Sequence, residues 1–437
     1  NRKIDSMEDR GKSELLTAGI RYLSPLLVIQ IGMMPMTAYL FNYFSIVSFF
    51  MNPPIIAISG LIIPMGIGLI PLSYLGGIIF GVGAQAAELL INAMLWLNEL
   101  FFMPGIGFFN VVSPPIFLLL IFYGFFFFLS SELFRILYQR RKAKAIAIFC
   151  ILFITLSLLI SIVVGTDYDE AELVFVDVGQ GDCLHIRTPE GRNILIDGGG
   201  SQNYKVGEKI LLPYLLKNGV KSIDLAIATH LHDDHYLGIE QLAGKMKIKQ
   251  FGTYEANRLR EQEILDDTGL QKQDMLYLTE GDRIRIEKDI WIDVLYPEEH
   301  SLEDYEKLLL EEKDENRSSL LLKVYYKGLT ILMTGDMGLE GEQEIVKFYE
   351  ENPEILEADV LKIGHHGSRY STGDPFLDAV SPTIAVFQVG KNNFGHPHPT
   401  VIDKCEKKGI INYRNDLNGA IIFTYDENLW NVGSMIF

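Results

Sequence analysis

A cluster of histidines and carboxylates follows the apolar residues 225–228. Three histidines and one aspartate of this cluster fall within six residues, and these are His230, His232, Asp234 and His235. A buried strand that ends in such a cluster directs several imidazole and carboxylate groups at one point from a rigid edge. Metal-assisted hydrolysis requires such a set of ligands, so the pattern predicts a metal site. The alternative is a loop of surface histidines, which the later segments of the chain disfavour.

Three further apolar segments, at 329–333, 360–363 and 384–387, end in polar residues of the same kinds. The residues that follow these segments are Asp336, His365, His366 and Ser368, and then His396 and His398. Four apolar strands that each end in metal-binding or polar residues are too regular a pattern for solvent-exposed side chains. We therefore predict Asp336 as a ligand together with one histidine of the pair, and spacing leaves open which one.

Short apolar runs separated by tight turns predict the elements that position these residues. Strands fit 173–178, 183–187, 193–197 and 224–228, and further strands fit at intervals to 419–424. Helices fit 207–218, 339–350 and 400–408, and another begins near 236. Strands and helices mixed along one segment of this size indicate a layered α/β domain with mostly buried sheets.

The two parts of the chain differ sharply in charge. Residues 1–170 carry ten Lys/Arg, ten Asp/Glu and no histidine, whereas residues 171–437 carry the whole net charge of −18 and all nine histidines. The three cysteines do not suggest a disulfide framework. We predict a polytopic membrane domain at 1–170 and an acidic hydrolase domain at 171–437.

Five apolar stretches in the first part are long enough to cross a bilayer, which needs roughly 20 apolar residues. They cover 23–44, 54–72, 74–98, 114–134 and 145–165, and the second and third could instead form a broken or re-entrant hairpin. Lys and Arg residues cluster before the first stretch and between the fourth and fifth, which predicts a cytoplasmic position for both clusters. The fifth stretch would then exit outward, so the acidic domain is predicted to be extracytoplasmic on a multi-pass protein of the cell membrane.

Residues 172–433 resemble the metallo-β-lactamase superfamily. The resemblance is carried by the turn Asp197-Gly198-Gly199, the histidine cluster, Asp336 and the pair His365-His366. It implies an αββα sandwich with one or two divalent metal ions at one edge. In the family pattern, His230 and His232 would hold one metal, and Asp336 would bridge two. The second metal would take Asp234, His235 and one of the later pair, for which His366 is preferred.

One departure from that pattern concerns the first metal. Many members have another histidine between the first motif and the bridging aspartate, but the one histidine in this interval is His300, in an acidic loop that we expect at the surface. Residues 316–319, Asn-Arg-Ser-Ser, occupy the expected position instead. The first metal would therefore be weakly bound or exchangeable. Zinc or manganese is the expected ion, and magnesium remains open.

A narrower resemblance covers the whole chain. The segments 176–182, 361–368 and 393–399 together resemble the ComEC family of membrane channels for DNA uptake in natural transformation. The resemblance implies a competence-type membrane α-helical bundle followed by the α/β hydrolase domain, in a chain that is incomplete at its N-terminus. The implied partners are a transported single strand of DNA, membrane lipid, a DNA receptor and cytoplasmic translocation proteins, with homo-oligomers also possible.

Three functions fit these patterns. The first is a membrane channel component whose hydrolase domain acts as a metal-dependent deoxyribonuclease on one DNA strand. In that reaction Asp234 or Asp336 would orient or deprotonate water, and His365, His396 and Ser368 would contact the phosphate or protonate the leaving oxygen. The second is a membrane-tethered phosphodiesterase for a cell-wall or small phosphoester, and the third is a non-catalytic channel subunit with a structural metal.

The acidity of the second domain argues against tight DNA binding, which usually needs a basic surface. Four basic residues near the motifs in sequence, Lys362, Arg369, Lys391 and Arg414, are candidates to reverse the local field.

Overall fold

The computed structural model describes residues 14–101, 107–165, 171–298 and 315–435. The chain divides into two compact units, Asn1–Thr166 and Asp167–Phe437.

Helices make up nearly all of the described part of the first unit. Their bounds are Glu14–Phe41, Val47–Leu75, Gly77–Phe101, Ile116–Ser130, Glu132–Arg140 and Lys142–Gly165. The short strands Tyr43–Ser45 and Phe108–Asn110 pair in antiparallel fashion. Within the described residues, four helices are long and apolar enough to cross a membrane, and a fifth span results if one bent pair counts as one crossing. The predicted apolar spans are therefore present as helices.

Two details of the spans differ from the simplest expectation. The stretches at 54–72 and 74–98 are two separate helices, Val47–Leu75 and Gly77–Phe101, joined at Gly76. The stretch predicted as one span at 114–134 is instead bent by 56° between Ile116–Ser130 and Glu132–Arg140. Ser131 lies at this break, where its side chain accepts a hydrogen bond from the Phe134 amide and so caps the second helix.

The second unit contains two large sheets. The eight-stranded sheet has the spatial order Met275–Leu278, Phe251–Tyr254, Leu225–Ile227, Asn193–Ile196, Leu184–Arg187, Glu172–Phe175, Ala420–Asp426 and Leu429–Met435. The seven-stranded sheet has the order Arg283–Glu287, Ile290–Tyr296, Leu321–Tyr326, Leu329–Met333, Val360–Lys362, Ile384–Phe387 and Ile411–Arg414. The short strands Ser222–Ile223 and Lys247–Ile248 form a separate parallel pair.

The two sheets pack face to face through an apolar core. Side chains from both sheets, such as Phe175 and Phe423 of one and Ile292 and Val324 of the other, are fully buried in it. Burial of each such side chain contributes about 1.5–3 kcal/mol relative to exposure. Burial of this apolar layer therefore stabilises the sandwich and offsets the cost of the charged groups buried at its edge.

Helices cover the outer faces. A second apolar core lies between the seven-stranded sheet and the helices Leu339–Phe348, Asp374–Val380 and Pro399–Lys407. The remaining helical segments are Gly207–Leu211, Leu212–Lys217, Asp233–Ala243, Glu255–Arg260, Glu261–Thr268, Lys272–Asp274, Glu315–Ser318, Pro353–Ile355, Gly364–Gly367 and Asn415–Asn418. The predicted fold class is confirmed: a helical region with apolar spans comes first in the chain, and an αββα sandwich follows it.

Candidate metal centre

The candidate residues follow the C-terminal ends of parallel strands. In the seven-stranded sheet, Leu329–Met333, Val360–Lys362 and Ile384–Phe387 run parallel to one another. In the eight-stranded sheet, Asn193–Ile196 runs parallel to Leu225–Ile227. The carboxyl ends of parallel neighbours lie at the same edge of a sheet, where ligand sites are usually built. The loops after these strands are therefore adjacent, as the sequence pattern predicts.

Two glycine turns fix the loop that carries the histidine cluster. A Cβ atom on Gly200 would lie 1.8 Å from the Asp233 carbonyl oxygen, and one on Gly181 would lie 2.4 Å from the Asp234 carbonyl oxygen. Gly181 also has a φ of +132°, which side chains of L-residues rarely tolerate. Any larger residue at either position would displace the loop that positions Asp234 and His235.

Four residues form what we call the metal group: Asp234, His235, Asp336 and His366. One ligand atom of each lies within 4.8 Å of the others. His235 Nε2 is 3.2 Å from Asp336 Oδ1, and His366 Nε2 is 3.4 Å from Asp336 Oδ2. Asp336 thus faces both histidines. Three members are buried, and only Asp234 is partly exposed, so the group opens to solvent on the Asp234 side.

Hydrogen bonds to the opposite ring nitrogen orient both histidines. His235 Nδ1 donates to Asp197 Oδ2 at 2.9 Å, and His366 Nδ1 donates to the Gln388 carbonyl at 2.8 Å. With Nδ1 protonated, each ring directs Nε2 at the metal group. A carboxylate or carbonyl acceptor behind a ligating histidine fixes its tautomer and raises its basicity, as in many metal sites. Asp197 itself is held by the Thr229 amide, at 2.7 Å.

The unpaired atoms of the site fit a metal ion. Among the described residues, His230 Nε2, His235 Nε2 and Asp336 Oδ1 are buried and make no hydrogen bond. A buried polar atom without a partner costs about 1–3 kcal/mol, and this cost applies to His230 Nε2. His235 Nε2 and Asp336 Oδ1 lie 3.2 Å apart as an ion pair, which a bound metal ion would replace. Their chemistry, two imidazole nitrogens and a carboxylate oxygen, is that of zinc and manganese sites.

His230 and His232 lie next to the metal group but are outside it. The ring centroid of His230 is 4.1 Å from that of His235 and 4.7 Å from that of His232. His230 Nδ1 is 3.4 Å from Ser319 Oγ and 3.3 Å from Thr229 Oγ1. Ser319 lies in residues 316–319, the segment where the family pattern has a further histidine. Its hydroxyl group contacts the Nδ1 side of the His230 ring. The predicted roles of His230 and His232 as ligands of a first metal remain a proposal.

Charges within the metal group shift its pKa values strongly. Burial opposes the charged form of His235, but the carboxylates of Asp336, Asp197 and Asp182 outweigh it and raise the pKa of His235 to about 10. Burial acts likewise on His366, and Asp336 and Asp182 raise its pKa well above the usual range. The pKa of Asp336 is well below its usual range, because His366 and His235 outweigh the effect of burial. Without metal, the imidazolium forms of both histidines are therefore favoured by the carboxylates around them.

These shifts predict that metal binding releases protons. The imidazole nitrogen that binds a metal must be deprotonated. In the metal-free protein the raised pKa values keep both histidines in the imidazolium form at pH 7, with a proton on each ring nitrogen. We expect the affinity for Zn²⁺ or Mn²⁺ to rise with pH, by up to about 100-fold per pH unit if both protons leave. Titration calorimetry in buffers of different ionisation enthalpy measures the release, and His366→Gln should lower it by about one proton. Equal affinity at pH 6.5 and pH 8 would contradict this prediction.

Lys362 is part of the buried site and not of its surface. Its side chain is fully buried, its Nζ contacts the Asp182 carboxylate, and it donates to the Gly335 carbonyl at 2.8 Å. The expectation that Lys362 helps to reverse the surface field toward DNA is therefore wrong. Arg414 pairs with Asp416 at 2.7 Å, which neutralises much of its charge. Arg369 and Lys391 are exposed and keep their predicted place at the surface.

The other candidate catalytic residues lie at different depths. His365 Nε2 is 3.7 Å from Asp336 Oδ2, and this side chain is about a third exposed. His396 follows in the next loop, with its ring centroid 5.6 Å from that of His365. Ser368 is buried, and its Oγ accepts a hydrogen bond from the Tyr370 amide at 3.3 Å within the same turn.

Two other histidines are not members of the metal group. His398 caps the helix Pro399–Lys407 through Nδ1. His300 lies outside the described residues.

Sequence reasoning did not assign three residues that support the metal group. Asp182 lies 3.2 Å from His366 Nδ1, Asp197 orients His235, and Gln388 orients His366 through its backbone carbonyl. Asp197 directly follows the apolar strand Asn193–Ile196, which is the same signal that marks Asp336. That signal was available. The Gln388 contact could not be predicted in this way, because every residue type has a backbone carbonyl.

Comparisons with known proteins agree with this architecture. Residues 176–391 match the metallo-beta-lactamase superfamily, and residues 4–136 match the family described as competence protein. "ComE operon protein 3" of Bacillus subtilis is 29% identical over 91% of this chain and 51% of its own length. "Competence protein ComA" of Neisseria gonorrhoeae is 32% identical over 58% of this chain and 32% of its own length. The chain thus spans about half the length of the first of these relatives and a third of the second.

Among solved structures, the metallo-beta-lactamase fold protein YhfI from Bacillus subtilis covers 58% of this chain and 99% of its own, at 11% identity. The TM-score between the two structures is 0.38.

Proposed function

Because this chain joins a competence-protein domain to a metallo-beta-lactamase superfamily domain, we propose that it is a membrane component of DNA uptake with a metal-dependent nuclease domain. The domain would degrade one DNA strand while the membrane unit admits the other. The observation that carries the proposal is the metal group of Asp234, His235, Asp336 and His366, attached in one chain to several apolar helices.

The residues of the chain divide the chemical work in this proposal. Bound divalent ions supply Lewis-acid activation of water and of the phosphoryl oxygens. Asp234 is the partly exposed carboxylate of the metal group, so it is the one placed to orient the attacking water. Burial lowers the pKa of His365, which leaves this imidazole neutral near pH 7 and able to accept or relay a proton. The His365 side chain is about a third exposed, so a phosphate at the metal group could reach it.

We propose an extracytoplasmic position for the nuclease domain. The five basic residues between 135 and 144 lie at the junction between the bent helix pair and the helix Lys142–Gly165, and Lys and Arg favour the cytoplasmic side of a membrane. One crossing by Lys142–Gly165 would then lead outward to the second unit. Protease treatment of intact spheroplasts tests this orientation, because an outward domain is cut without lysis and a cytoplasmic one is not.

The charge of the second unit favours a second candidate function. Residues 171–437 carry the whole net charge of −18, and extended polyanions are repelled by such a surface. A membrane-tethered phosphodiesterase for a small or cell-wall phosphoester would use the same metal group without that repulsion. Both functions would use the same metal-binding residues, and they differ only in the substrate.

The test compares substrates on the purified full chain in detergent. Single-stranded DNA, duplex DNA and a small phosphodiester are each supplied with Zn²⁺, Mn²⁺ or Mg²⁺, and the second-order rate constants are compared. The proposal expects faster cleavage of DNA than of the small diester. A preference for the small diester would select the second candidate. Metal binding and folding without hydrolysis of any substrate would indicate a structural metal site in a channel subunit.

A further inference from the structure

An exposed phenylalanine stands on a rigid loop beside the metal group. Phe394 is 75% exposed, although phenylalanine is among the side chains most often buried. The loop does not need this ring for its own shape. Asn392 Oδ1 accepts the backbone amides of Phe394, Gly395 and His396, and its Nδ2 donates to the carbonyls of Gly390 and His396. One asparagine side chain thus organises the loop, and the phenylalanine ring projects from it.

The loop is fastened directly to the turn that carries the histidine pair. The His398 amide donates to the Gly367 carbonyl at 2.8 Å. Pro397 packs so closely on Gly367 that a Cβ atom there would lie 2.7 Å from Pro397 Cβ. Gly367 follows His366 immediately, so the position of the loop is tied to the position of a metal-group residue. A ring on this loop keeps a fixed distance from the site.

A series of rings leads from the metal group to Phe394. His365 Nε2 lies 3.7 Å from Asp336 Oδ2, and the ring of His396 follows at a centroid distance of 5.6 Å from His365. The ring of Phe394 is 5.8 Å from that of His396, with an interplanar angle of 34°. His396 Nδ1 is buried and makes no hydrogen bond among the described residues. The series therefore begins beside the Asp336 carboxylate and ends in the exposed ring of Phe394, and the His396 Nδ1 atom without a hydrogen bond lies between them.

We infer that Phe394 is a stacking platform for a base of single-stranded nucleic acid, which holds the neighbouring phosphodiester at the metal group. In a nucleotide a flat aromatic base lies next to a phosphate. The series matches this arrangement, because Phe394 would meet the base and the metal group would meet the phosphate. An aromatic ring accepts any base, whereas duplex DNA keeps its bases stacked on one another. Stacking also supplies affinity that does not depend on charge, which suits a domain with a net charge of −18. This inference rests on the proposed nuclease function and names its substrate as a single strand.

The test pairs changes in the ring with removal of the base. Phe394→Ala, Phe394→Leu and Phe394→Tyr are made in the full chain, and each cleaves either a natural single strand or a uniformly abasic strand of equal length. Base stacking on an aromatic ring corresponds to about a 5- to 150-fold effect per base. We expect Phe394→Ala to lower kcat/KM on the natural strand by that factor and to leave the abasic strand unchanged. Phe394→Tyr should retain activity, and Phe394→Leu should resemble Phe394→Ala because it keeps apolar bulk without a π face.

Two results would overturn the inference. One is an unchanged kcat/KM of Phe394→Ala on the natural strand, and the other is an equal loss on both strands, which would indicate damage to the site. A binding measurement separates this inference from the nuclease proposal. A single strand that contains 2-aminopurine loses fluorescence when the base stacks, and wild type should quench it more than Phe394→Ala does. If wild type cuts no DNA, the nuclease proposal fails, and equal quenching by both proteins would then reject the platform as well.

Discussion

Asp336→Asn is expected to abolish metal-dependent hydrolysis and to weaken metal binding by about 10³-fold. Loss of a residue that only orients a metal ligand typically costs 10- to 100-fold, and Asp336 faces both histidines directly. The substitution keeps the shape of the side chain and removes its charge. Metal affinity measured by competition with a fluorescent chelator, and the hydrolysis rate at saturating metal, report the two effects separately.

Asp233→Asn is the matched control for that experiment. Asp233 precedes Asp234 in the same motif, but it is exposed and is not a member of the metal group. We expect its variant to bind metal and to hydrolyse substrate within about twofold of wild type, as is usual for a surface substitution. If Asp336→Asn retained more than a tenth of the wild-type activity, Asp336 would not be a bridging ligand.

Lys362→Met is expected to destabilise the second unit by about 3–5 kcal/mol, because it removes the buried ammonium group that faces the Asp182 carboxylate and leaves that charge with the nearby histidines alone. Both side chains are fully buried, and no solvent screens their interaction. For a unit of this size, such a loss lowers the melting temperature by about 6–20 °C. Differential scanning calorimetry of the full chain in detergent, with and without metal, measures the change.

Two variants show whether the effect comes from the broken ion pair. Lys362→Met with Asp182→Asn removes both charges and should recover much of the lost stability. Lys323→Met removes another lysine of the same sheet, whose Nζ donates to the uncharged Ile355 carbonyl at 2.8 Å and lies over the Tyr325 ring, so it should cost about 1 kcal/mol. A loss for Lys323→Met as large as that for Lys362→Met would contradict the role of the ion pair.

Much of the fold could be predicted from the sequence, because its central strands are short apolar runs that end in turns. The segments 329–333, 360–363 and 384–387 are observed as strands within one or two residues of the predicted bounds. The strands that were not predicted, such as Arg283–Glu287 and Leu429–Met435, lie at the edges of the sheets. Edge strands expose one face and one row of backbone groups, so their hydrophobic pattern is weaker.

All four residues of the metal group are among the ligands predicted from the sequence, but the contacts around them are not. His235 and Asp336 carry local signals, since each follows an apolar strand. Spacing leaves the choice between His365 and His366 open, with His366 preferred. Both residues have a positive φ in one tight turn, which buries His366 and leaves His365 partly exposed. The pairing of Lys362 with Asp182 joins residues far apart in the chain, and nothing in either segment indicates the other.

The most direct test of the central claim is a metal titration of DNA cleavage. The purified full chain is stripped with EDTA, the chelator is removed, and cleavage of a 5′-labelled single strand is followed as Zn²⁺ or Mn²⁺ is added back. Our account predicts no cleavage in the stripped protein and a rate that rises and saturates at one or two equivalents of metal. Cleavage by the stripped protein, or a folded and metal-loaded protein that cuts no strand, would contradict it.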